Sequence, residues 1–226
     1  MPAVHRAVEV KLREAAVLAD LYSVRYDLEI ATRLSKAARE AGATRPHDSL
    51  VVEGLVTAAL IRYCRCFSSN VRLGLGRADI ETLDTETLAQ HDYFKALRDK
   101  FVAHSANPFE ENWVTATASE RDGVRYPIAS VGHGSHRMLL SVGEARALGA
   151  LVKQVRHLVD AKIKTEEAKL LAIIQQLPPN VLHDSDLRSP AQFALADVAS
   201  TRRQTRAPTP RSRSTRKSGA GPQGGR

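Results

Sequence analysis

The sequence predicts an all-α protein: an antiparallel bundle of about four long helices, with a small inserted β-hairpin and a disordered basic C-terminal tail. Three observations lead there. Ala and Leu dominate the first 180 or so of the 226 positions while aromatic residues make up 5%, a balance typical of helical packing rather than of a sheet sandwich. Long segments repeat their apolar residues at the spacing of one helix face. Short connectors separate those segments, which favours antiparallel neighbours. The length suffices for one core plus a tail, and no internal repeat of fixed period is present.

The first helix is expected over positions 6–41, where Val17, Leu21, Val24, Leu28 and Ala31 form a single stripe. Gly42 would end it, and Pro46 would open the second helix, a position that tolerates proline. That second helix should reach position 68, with Val52, Val56, Ala59, Tyr63 and Cys66 on one side. A connector with Gly74 and Gly76 follows. The third helix is expected over 85–105, with Tyr93, Leu97 and Phe101 aligned, until Pro108 stops it. Trp113-Val-Thr-Ala-Thr then alternates, Arg121-Asp-Gly-Val offers a turn, and Val124, Tyr126 and Ile128 alternate again. This is the signature of a hairpin, and Met138-Leu-Leu-Ser would add a short third strand. Ser141-Val-Gly-Glu144 matches a capping box at the start of a last helix that carries Leu148, Leu151, Val152, Val155, Leu158, Val159, Ile163, Leu170, Ile174 and Leu177. Pro178-Pro179 closes it. The domain organisation expected is a helical domain over 1–182, the hairpin insertion lying at about 112–142, and a tail over 183–226 too poor in apolar residues to fold.

Charge is unevenly distributed. Eight Lys/Arg and no acidic residue lie in positions 201–226, so 25 of the 33 basic residues remain in positions 1–200 against all 25 acidic ones. The formal net charge of +8 therefore belongs to the tail, and the body is neutral. Such a tail would attract polyanions through counterion release, without sequence preference; a merely solubilising C-terminus is the equal alternative. No aromatic is interleaved for base stacking.

No apolar run approaches the ~18 residues that span a bilayer, and the first residues lack the pattern of a secretory signal. Cys64 and Cys66 point about 200° apart on a helix and cannot bond to each other there. A cytoplasmic protein without membrane contact is expected.

The chemistry concentrates in positions 97–105, Leu-Arg-Asp-Lys-Phe-Val-Ala-His-Ser. Arg98 and His104 lie six positions apart, roughly 120° round an ideal helix, and flank one face near its C-terminal end. Arg98 is a permanent cation and His104 an imidazole that titrates near neutrality. Cleaving RNA without a metal needs a base for the 2′-OH, an acid for the leaving 5′-oxygen and a cation for the charge gathering on phosphorus. One chain supplies one such histidine here, and a two-fold dimer supplies two. The residues also admit a plainer reading. His104 borders the Leu97/Phe101 stripe and could be a buried histidine bonded to a backbone carbonyl, while Arg98 could pair with Asp99 or Glu86 on a solvated face.

The segment Arg98-Asp-Lys-Phe-Val-Ala-His104 resembles the R-x(4–6)-H signature of the HEPN superfamily, in which the residue after the arginine is usually polar, as Asp99 is. The wider run over 94–108 resembles a segment of HEPN proteins tied to phage abortive infection. The strong likeness covers about a dozen residues, and the helical layout agrees over roughly 6–177. What the resemblance implies is an all-α, commonly dimeric bundle and a metal-independent endoribonuclease in antiviral, toxin–antitoxin or RNA-processing settings. Arg98 would contact the scissile phosphate, His104 would act as general acid/base, and Asp99 would orient Arg98 or the substrate. RNA is then the substrate, a second copy the partner, and an antitoxin or regulatory protein a further one; no cofactor or metal is expected. Several HEPN branches keep the fold without catalysis, as dimerisation or partner-binding modules.

The remaining motifs point to structure. His133-Gly-Ser-His136 has a metal-site spacing but no neighbouring Cys or carboxylate cluster, and reads as a Gly-rich hairpin turn. Cys64-Arg-Cys66 reads as core packing. Gly74-Leu-Gly76 lacks the setting of a dinucleotide fingerprint. His91, Lys95 and Arg98, at i, i+4 and i+7, form a polar stripe that would extend a phosphate-binding surface or simply be solvated.

Overall fold

The computed structural model describes residues 7–44, 49–67, 74–102, 110–125, 128, 130–137, 139–178 and 180–183. It is mostly helical, with a small antiparallel ribbon. The helices are α1 (Arg13–Thr44), α2 (Ser49–Arg65), α3 (Arg77–Ile80), α4 (Thr85–Leu97), α5 (Val142–Gln175) and α6 (Asn180–His183). A π-helical turn, Arg98–Val102, continues α4. The strands are β1 (Glu110–Thr117), β2 (Glu120–Arg121), β3 (Val124–Arg125) and β4 (Ser130–Arg137). The tail, Pro46, Pro108, Pro179 and His104 lie outside the described residues.

α1 is the central element, and cross-contacts fix the direction of its neighbours. Tyr22 donates to Glu167, Arg25 pairs with Asp160 at 3.1 Å, and Gly149 packs on Ser35. Residue numbers fall along α5 as they rise along α1, so the two run antiparallel. On the other side Arg62 donates to Asp27 at 2.9 Å, Arg65 lies 3.6 Å from the other oxygen of that carboxylate, and Val52 approaches Gly42. α2 is therefore antiparallel to α1 as well. The core fills with the stripes expected of each helix: Leu21, Val24, Leu28 and Ala31 from α1; Val56, Ala59 and Tyr63 from α2; Leu148, Leu151, Val152, Val155 and Val159 from α5. Fully burying aliphatic side chains of this kind stabilises by about 1.5–3 kcal/mol each.

Several elements differ from expectation for identifiable reasons. Gly42 does not end α1, which runs on to Thr44. A Cβ there would sit 2.2 Å from Val142 Cγ2, so the glycine admits the start of α5 rather than terminating a helix. The inward stripe of α4 is Thr87, His91, Phe94 and Leu97, while Tyr93 is 47% exposed. Phe94 takes the interior place assigned to Tyr93 because its ring carries no hydroxyl that needs a partner. β1 pairs with β4, from Glu110↔Arg137 to Thr117↔Ser130, and not with the segment around Val124. The Asp122-Gly123 turn forms as expected, both residues at positive φ (52° and 77°), but it joins only the two-residue strands β2 and β3. Leu139-Leu140 is not a strand; Leu140 is buried in the core instead. His133-Gly-Ser-His136 is not a turn but part of β4.

The cap of the last helix is the one the sequence indicates. Ser141 Oγ accepts from Gly143 N at 3.0 Å and Glu144 accepts from Ser141 N at 2.8 Å, opening α5. Gly76 N donates to Asp79 Oδ2 at 2.7 Å, and Gly74-Leu-Gly76 is the connector it resembled. Asp84, which the sequence reading passed over, caps α4 by accepting from Thr87 N at 2.8 Å.

Candidate functional site

The candidate site lies where α4 gives way to the π-helical turn at Arg98. Such widened turns are rare and frequently mark functional positions. The inward face of α4 anchors it. Tyr63 and His91 are both buried, with the Tyr63 hydroxyl 2.8 Å from His91 Nδ1. Phe67 packs edge-on against the His91 ring at 4.5 Å and against Tyr63 at 5.1 Å. Burial lowers the His91 pKa from its ordinary value and raises that of Tyr63. Both groups are therefore neutral near pH 7, and one hydrogen bond joins the phenol to the imidazole. The expected polar stripe of His91, Lys95 and Arg98 is broken: Lys95 and Arg98 are exposed, but His91 faces inward. Periodicity could not reveal this, because a histidine suits either side of a helix once a buried hydroxyl is available to bond it.

Beyond that anchor, at the start of the π-helical turn, Arg98 and Asp99 form an ion pair. Arg98 Nη1 donates to Asp99 Oδ1 at 2.7 Å, with the two side chains 48% and 50% exposed. The hydrogen bond to Asp99 raises the arginine pKa further, so the guanidinium is a fixed cation, presented to solvent and oriented by its neighbour. Of the expected catalytic residues, the structure brings Arg98 and Asp99 together. The pairing with Glu86 is not the one formed.

Cys64, on the last turns of α2, is close enough to Lys95 and Arg98 to feel both charges, yet burial pushes its thiol up to about 12. It stays protonated and is no nucleophile at neutral pH. Cys66 Sγ lies 3.5 Å from Arg62 O and 3.8 Å from Val24 O, buried in the core. The two thiols occupy different surroundings, in keeping with a packing role.

The connector before α4 is pinned by charge. Arg77 binds both Asp92 oxygens, at 2.6 and 3.1 Å, and Asp79 pairs with Lys162 of α5 at 2.5 Å. An open groove of about 620 Å³ runs along α5, its lining including Leu83, Leu158, His157, Lys162 and Lys169; neither Arg98 nor Asp99 lines it. His133 stands opposite Val114 and His136 opposite Glu111. An odd separation along one strand puts the two imidazoles on opposite faces of the ribbon, so they cannot converge on a metal. Among the described residues no helix is long and apolar enough to cross a membrane.

No family model matches the chain, and no curated protein or solved structure is detectably similar to it.

Proposed function

We propose that the chain is a HEPN-like, metal-independent endoribonuclease of a phage-defence or toxin-type system. It acts as a homodimer whose cleft joins two copies of the Arg98/His104 segment. The observation that carries this reading is the Arg98–Asp99 pair: an oriented, solvent-facing guanidinium at the first residue of a π-helical turn, six positions before His104. In this reading Arg98 stabilises charge on the scissile phosphate and Asp99 holds its fork. His104 from one protomer takes the 2′-OH proton while the partner copy protonates the 5′-oxygen. The neutral body offers no broad cationic field, so phosphate contact rests on Arg98, aided by the exposed Lys95 and the basic tail. The test is cleavage of a mixed RNA pool in EDTA, with 2′,3′-cyclic phosphate or 3′-phosphate ends expected. Arg98→Ala and His104→Ala should each lower the rate at least 100-fold, within the range typical of general acid–base catalysis. Undiminished cleavage by His104→Ala refutes the assignment.

A second reading, a non-catalytic HEPN-like dimerisation or partner-binding module, is favoured by the bare β-ribbon of β1 and β4, an element suited to docking rather than to chemistry. Wild type that leaves RNA intact, and is harmless when expressed in a bacterial host, supports this second reading.

A further inference from the structure

The ribbon of β1 and β4 lacks most of the usual protections of an isolated hairpin, its charges Glu110, Glu111 and Arg137 standing at one end. Each strand is eight residues long and the two pair one-to-one without a bulge, giving a length of about 27 Å. Apart from Glu110 and Arg137 at one end, whose side chains are not described, every residue of it but Gly134 is exposed; Val114 is 77% exposed, Val131 73% and Trp113 49%. A two-stranded ribbon by itself is marginal in water, whereas a sheet of three or more strands with an apolar face is stable. Proteins that keep an edge strand unpaired protect it with lysine, proline or a bulge. β1 has none of these, and positions 112–118, Asn-Trp-Val-Thr-Ala-Thr-Ala, carry no charge. β4 is the poorer edge, because Gly132 and Gly134 interrupt it.

We propose that β1 is the edge across which two copies of this chain pair, antiparallel, about a two-fold axis at Val114. The sequence of β1 is self-complementary in that register. Val114 meets Val114 of the second copy, Trp113 meets Thr115, Asn112 meets Ala116 and Glu111 meets Thr117. Each aromatic then faces a β-branched residue, a favourable cross-strand pair, and the acidic residues fall at opposite ends, each against a neutral partner. The axis passes through Val114 rather than Trp113 because the indole is already committed to its own ribbon. It lies flat on Gly134, where a Cβ would come within 2.3 Å of the ring. Residues that pair across β1 and β4 share a face, so Val114, Ala116 and Val131 of each copy join into an apolar patch on one face of a four-stranded sheet, with His133, Asn112 and Ser135 around it. The interface is at the small end of specific interfaces, below ~1,200 Å², so the dimer dissociates on dilution. On the ribonuclease reading this ribbon contact holds the same dimer that joins the two Arg98/His104 segments; without that reading it holds the dimer of a non-catalytic module.

Sedimentation of the full chain tests it. Wild type should show a concentration-dependent monomer–dimer equilibrium. Val114→Lys, which sets like charges directly opposite each other, should weaken it at least tenfold without changing the helical circular-dichroism signal; Val114→Glu should do the same. An equimolar mixture of the two variants should recover the dimer. Under mild oxidation Val114→Cys should cross-link between copies, and Trp113→Cys should not. A monomeric wild type, a dimer indifferent to both charged variants, or cross-linking at Trp113 in preference to Val114 overturns the proposal. So does loss of RNA retention by the charged variants with the oligomeric state unchanged, which would assign the ribbon to nucleic acid.

Discussion

Removing the Tyr63 hydroxyl isolates the interaction that anchors α4. In Tyr63→Phe, His91 Nδ1 remains buried without its partner, and an orphaned buried polar atom costs about 1–3 kcal/mol. His91→Leu removes the imidazole as well. Replacing both partners by apolar groups of similar shape is close to neutral, so the double variant should be markedly more stable than the sum of the single losses predicts, with a coupling of about 1–2 kcal/mol in the range seen for contacting residues. Urea denaturation followed by circular dichroism at pH 7.5 measures all four corners of the cycle. The same site has a pH signature. Burial lowers the His91 pKa in the folded state, so just below the unfolded value of about 6.5 the unfolded chain binds the extra proton. Stability must therefore fall as pH drops through and below about 6.5, by at most ~1.4 kcal/mol per pH unit for this one group, and level off below the folded-state pKa. His91→Leu should remove that part of the slope. Additive single losses, or a slope unchanged by His91→Leu, would refute the claim that a neutral, phenol-bonded imidazole holds α4 in place.

Two further predictions probe the packing of α1 against α5. Gly42→Ala drives a methyl group into Val142 and should destabilise by about 1–3 kcal/mol through overpacking, read as a lower urea midpoint with an unchanged m-value. Ser35 Oγ is buried with no hydrogen-bond partner among the described residues, so Ser35→Ala should leave the melting temperature unchanged or raise it by a few degrees; a clear loss would show that the hydroxyl is satisfied.

The sequence disclosed the helices whose two faces differ strongly in polarity. The Leu21–Ala31 and Leu148–Val159 stripes are in the core where periodicity puts them, and the Ser141–Glu144 cap opens α5 as its residue types require. It misled where one residue type serves two environments. Tyr93 and Phe94 are adjacent aromatics on α4, and spacing alone could not decide which of them turns inward. Gly42 and Gly134 look like chain-reversal signals, yet each is small so that a neighbour, Val142 or Trp113, can come close, a requirement set by residues distant in sequence. At the candidate site the type and spacing of Arg98 and Asp99 were legible. Their direct pairing was one of two options, and the π-helical turn has no residue signature of its own.

The division of α4 into buried and exposed residues bears on how its function can be tested. Thr87, His91, Phe94 and Leu97 hold the helix against the body, while Lys95 and Arg98 are exposed and Asp99 is half-exposed. Stability and candidate chemistry thus rest on different residues of one short helix. An exposed ion pair such as Arg98–Asp99 contributes ~0–1 kcal/mol to folding, so Arg98→Ala should leave the urea midpoint nearly where it was. Any large loss of RNA cleavage in that variant is then a loss of transition-state contact. If instead Arg98→Ala unfolds the chain as readily as Tyr63→Phe does, the guanidinium is part of the scaffold, and the separation of roles on which the ribonuclease reading depends does not hold.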